Sequence, residues 1–108
     1  MNAIQVKNLK DYIVTLNNET KHAQSVMDRG ASLASLVWSL TALNGQLSFL
    51  SGLYVATLTS GIKPNRTDEE RAADQAVSDA VRLALKNANQ MYAAMQERIS
   101  VLLEKVEA

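Results

Sequence analysis

Residues 30–62 read GASLASLVWSLTALNGQLSFLSGLYVATLTSGI, 33 positions without a charged side chain in a 108-residue protein that carries 11 basic and 11 acidic groups elsewhere. Leu33, Leu36, Leu40, Leu43, Leu47, Leu50 and Tyr54 recur at alternating steps of three and four, the a and d positions of a heptad held for three repeats. A strand would alternate every two residues, and this stretch does not. The spacing predicts a helix over residues 31–60, roughly 45 Å long at about 1.5 Å per residue.

The side opposite the leucines holds Trp38, Gly45 and Gly52 at successive f positions, with Ala42, Phe49 and Ala56 beside them. A solvent-facing helix normally places Lys, Glu or Arg there. Two glycines inside a helix cost about 1 kcal/mol each relative to alanine, which points to close approach by another backbone. Trp38, Ala42, Gly45, Phe49, Gly52 and Ala56 therefore form the candidate interaction face. Asn44 and Gln46 lie between the two faces, where polar groups fix register once they are covered.

Three environments compete for that face. Three helices of one chain do not easily enclose a helix of this length on every side, so the first expectation is cover by another copy or another protein. A neutral solvated face would account for the serines and threonines, but less well for Trp38 beside two glycines. A membrane would match the length of the stretch, and small residues with terminal aromatics occur in spanning helices. Asn44 and Gln46 at mid-segment and the high Ser/Thr content argue against a simple span. Conditional insertion remains the alternative.

Outward toward the N-terminus, residues 3–28 form an amphipathic helix. Leu9, Ile13, Leu16, Ala23 and Met27 make its apolar line, Thr20 fills one gap, and Val6 and Tyr12 lie alongside. Asn17, Asn18 and Thr20 have low helix propensity, so a kink or short break is expected near them. Gly30 is the natural stop, with Arg29 suited to the negative end of the helix dipole. Outward toward the C-terminus, residues 60–67 are the one loop, with Gly61 as a left-handed cap and Pro64 blocking continuation. Thr67 and Glu70 then have the spacing of a capping box. The third helix is expected over residues 68–106, on the line Val77, Val81, Ala84, Ala88, Met91, Met95, Ile99, Leu102 and Val106, with Leu85 beside it. The expected fold is a single all-α domain over residues 1–108, an antiparallel three-helix bundle with coiled-coil-like packing, or two long helices if Gly30 does not break the first.

Signatures of chemistry are sparse. His22 is the only histidine and has no histidine or carboxylate partner at helical spacing, so it reads as a surface or boundary residue and no metal is expected. There are no cysteines, no Gly-x-Ser-x-Gly elbow and no glycine-rich phosphate loop, so neither an enzyme nor a bound cofactor is expected. Lys63, Arg66 and Arg71 bracket the loop, but Asp68, Glu69 and Glu70 lie among them, which favours a solvated loop over a phosphate patch. Equal numbers of acids and bases leave no field to attract nucleic acid. Met91 and Met95 read as core filling. No secretory signal shows in MNAIQVKNLKDYIV, where Lys7, Lys10 and Asp11 interrupt any apolar run, so a cytoplasmic location is expected. The expected function is non-enzymatic: a small helical protein that pairs with itself, and with another protein, as an assembly, adaptor or regulatory subunit.

Overall fold

The computed structural model describes residues 1–59 and 67–107, which form three helices: α1 (Ala3–Asp28), α2 (Leu33–Thr59) and α3 (Asp68–Glu107). Every pair of helices is in contact, so the fold is the all-α three-helix bundle that the periodicity predicts. α2 runs antiparallel to α1: Tyr12 meets Phe49, while Val26 lies beside Ser35 and Ser39. α3 returns parallel to α1. The Met1 ammonium is 3.0 Å from the Asp74 carboxylate, and Thr20 and Gln24 lie alongside Asn87 and Met91.

Side chains and glycine set the helix ends. Asn2 and Gln5 form a reciprocal capping box at the start of α1, with bonds of 2.8 and 2.9 Å, a pairing that the sequence reading overlooks. At its end Gly30 adopts φ +64 and donates to the Met27 carbonyl, while Ala31 donates to Val26. That is a Schellman stop, which needs a residue free of the left-handed steric penalty. Because Ala31 is used in this stop, α2 begins at Leu33 rather than at residue 31. Ser32 accepts from the Ser35 amide as the N-cap. Thr67 and Glu70 make the expected capping box: the Glu70 amide donates to Thr67 Oγ1 at 3.1 Å, and Glu70 Oε1 accepts from the Thr67 amide at 3.4 Å. The cap at Gly61, the block at Pro64 and the basic pair Lys63 and Arg66 lie outside the described residues.

The core is one continuous cluster along the bundle. Leu9, Leu16, Leu36, Leu43, Leu50, Val81 and Met95 are fully buried at its centre, and Leu40, Leu47, Met91 and Ile99 pack against it. Burying a leucine side chain contributes about 2 kcal/mol, so the d positions of α2 anchor the fold. The short break expected as one outcome near Asn17 and Asn18 does not occur, because α1 is helical throughout Ala3–Asp28. Leu16 is pinned in the core beneath that stretch, and the Thr20 hydroxyl bonds the Leu16 carbonyl at 2.9 Å without breaking the helix.

α3 outruns its neighbours. Its 40 residues span about 60 Å of the molecule's 63 Å long axis, whereas α1 and α2, at 26 and 27 residues, each reach about 40 Å. Val106 therefore falls beyond the supporting helices and is 76% exposed, although the sequence places it on the apolar line. The buried stripe of α3 ends at Met95, with Ile99 and Leu102 half-covered beyond it.

One buried polar group has no partner. Ser39 is 5% exposed, faces α1, and its Oγ is without a hydrogen bond among the described residues. A buried unsatisfied hydroxyl costs about 1–3 kcal/mol, and alanine is also the better helix former. Ser39→Ala is expected to raise unfolding stability by about 1 kcal/mol in urea titration; a loss of stability would show that the hydroxyl is satisfied in solution.

Candidate interaction surface

Heptad position decides what α2 shows to each neighbour. Its a and d residues face the core, and its g side, with Ser39 buried and Gln46 and Leu53 half-buried, turns toward α1. The e side is less covered, leaving Val37, Asn44 and Leu58 exposed. Asn44 and Gln46 thus lie on opposite edges of the helix and do not form one polar layer.

All six residues of the candidate face are exposed. Trp38, Ala42, Gly45, Phe49, Gly52 and Ala56 form a line on the outside of α2, and neither α1 nor α3 covers it. Trp38 is 77% and Phe49 51% exposed, large fractions for aromatic side chains. Their spacing of four, three, four, three and four is that of a second heptad seam, offset from the leucine seam and made of small and aromatic residues.

The face continues onto α1. The ring centroids of Tyr12 and Phe49 are 4.5 Å apart at an interplanar angle of 42°, a tilted packing that holds Phe49 in place before anything binds. Nearer the α1–α2 turn, Trp38 and Ala42 border a shallow groove with Glu19, His22, Val26 and Arg29 of α1. His22 is exposed at that rim, and no cluster of metal-binding side chains occurs among the described residues. No family model matches the sequence, and no curated protein or solved structure matches it significantly. The surface must therefore be interpreted from its own chemistry.

That chemistry is apolar and uncharged. No charge lies on the line, and the nearest ionisable groups stand at its edge on α1. A Cβ built at Gly45 or at Gly52 would meet nothing within 4 Å, so no contact among the described residues requires glycine at either position. Both residues have ordinary helical backbone, since Gly30 is the one glycine with positive φ among the described residues. The helix therefore bears the conformational cost of two glycines for no intramolecular benefit. Diluted until monomeric, the double variant Gly45→Ala with Gly52→Ala is expected to unfold at higher urea, with a gain of roughly 1–2 kcal/mol from helix propensity alone. No gain would show that the folded monomer already presses against those positions.

Proposed function

We propose that this protein is a non-catalytic helical subunit that associates with itself through the outer face of α2 and acts by protein–protein contact, as an assembly, adaptor or regulatory component. The observation that carries this reading is an uncharged line holding an exposed tryptophan, an exposed phenylalanine and two glycines with no neighbour at the Cβ position among the described residues. Contiguous exposed apolar surface on a soluble chain marks a contact site, and tryptophan is enriched among residues that dominate binding energy. A two-fold pair is the simplest assembly, because one patch then meets itself. Head-to-tail contacts of the same patch with another surface would instead build a ring or filament.

Light scattering at micromolar concentration should give at least twice the 11.8 kDa protomer mass. Gly45→Leu with Gly52→Leu should return the particle to protomer mass while circular dichroism stays helical. A wild-type protein that remains monomeric at high micromolar concentration ends the self-association reading.

A second reading rests on its own observation. α2 is long and apolar enough to cross a membrane by length and composition, and only 22% of its most apolar window is buried in the bundle. Insertion would require the leucine face to separate from α1 and α3, so on this reading the bundle opens at a bilayer. Flotation with liposomes and a blue shift of Trp38 emission are its expected signs; unchanged emission with the protein left in the dense fraction removes it.

A further inference from the structure

The outer line of α2 is symmetric in spacing and complementary in size about Leu47. Trp38 stands nine residues before Leu47 and Ala56 nine after it; Ala42 and Gly52 stand five to either side, and Gly45 and Phe49 two. Each bulky ring is thus matched, at equal distance on the other side, by a small residue. In an antiparallel pair of helices with its two-fold axis at the level of Leu47, each residue faces the one equidistant on the partner. Trp38 would then lie against the partner's Ala56, Ala42 against the partner's Gly52, and Phe49 against the partner's Gly45. A parallel pair would instead stack ring on ring and glycine on glycine, leaving two collisions and two voids. Sliding the antiparallel pair by one heptad sets Trp38 against the partner's Phe49 or carries it past the end of the partner's line.

We infer that the outer face of α2 is self-complementary and that two copies of this chain pair antiparallel across it, with rings seated over the partner's small residues. This rests on the self-association reading above and adds its orientation and register. The six layers from residue 38 to residue 56 run about 27 Å, and the glycines let the two backbones approach to about 8 Å. The six layers by themselves cover a band about 27 Å by 10 Å, and the rest of a standard interface of about 800 Å² per protomer would come from the α1 rim that borders Trp38 and Phe49. Tyr12 packs on Phe49 from the same chain and fixes that ring before the partner arrives, which lowers the ordering cost of pairing. With no charge on the line, nothing on it repels a second copy.

Because the chain has no cysteine, introduced thiols report orientation directly. In the antiparallel pair, position 42 faces the partner's position 52, while the two copies of position 42 stand about 15 Å apart, beyond disulfide reach. Mixed Ala42→Cys and Gly52→Cys proteins should form a disulfide dimer under mild oxidation, and each variant alone should form less than about a tenth as much. Disulfides between like variants, with a dimeric mass in light scattering, would overturn the antiparallel register and leave self-association standing. A monomeric mass and no disulfide in any mixture would overturn both. A size exchange gives the second test: Trp38→Ala and Ala56→Trp should each weaken dimerisation by about tenfold or more. The double variant, which swaps the ring and its seat, should recover to within about threefold of wild type. Without recovery in the double variant, Trp38 does not seat over the partner's Ala56.

Discussion

The bundle depends on the burial of one leucine seam. Leu36, Leu43 and Leu50 are fully enclosed, with Tyr54 closing the same line, and the two outer helices exist as ordered elements because each has that line to cover. α1 answers with Leu9, Ile13 and Leu16, and α3 with Val77, Val81, Ala84 and Met95. Hydrophobic burial is non-directional, but a heptad confines it to one side of a helix, so α1 and α3 are drawn to the same side of α2. The constraint has a geometric remainder. Two helices packed on one side of a third leave the opposite side open, and here that side has no charged residues to hydrate it.

The open side is organised rather than merely apolar. Its small and aromatic residues repeat with the spacing of a second seam, Phe49 is held by Tyr12, and the two glycines meet nothing within their own chain. On the proposed reading, stability and association place different demands on the same helix. Alanine at positions 45 and 52 would favour an isolated helix, whereas glycine favours a neighbour that comes close. Ser39 adds a smaller tension of the same kind, a hydroxyl buried without a partner at the junction between the core and the groove beside Trp38.

Helix ends were legible where a side chain or a glycine does the stopping. Thr67 with Glu70 and the stop at Gly30 follow from residue chemistry within a few positions, and the structure has both. Asn2 with Gln5 is the same box in a form less easily seen, because Asn and Gln are common on helix surfaces as well as at caps. Local propensity suggested a break at Asn17 and Asn18, where the buried Leu16 helps keep the helix continuous through poor formers. Burial of Val26 and Ser39 was not visible in the pattern either. Both sit close to the α1–α2 turn, where the two helices are brought together and enclose residues off their main stripes.

By itself the sequence determined an all-α chain, approximate helix ends, the leucine seam and the absence of charge opposite it, because periodicity and capping are local properties of a chain. Whether residues 3–60 ran on as one helix or broke at Gly30 was left to the structure. Only the tertiary structure decided that Trp38, Ala42, Gly45, Phe49, Gly52 and Ala56 are all left uncovered, that Asn44 and Gln46 part to opposite edges, and that the end of α3 projects past its supports. Exposure depends on where the other two helices lie and how far they reach. Those are set by the summed packing of residues distant in sequence, which no single stretch records.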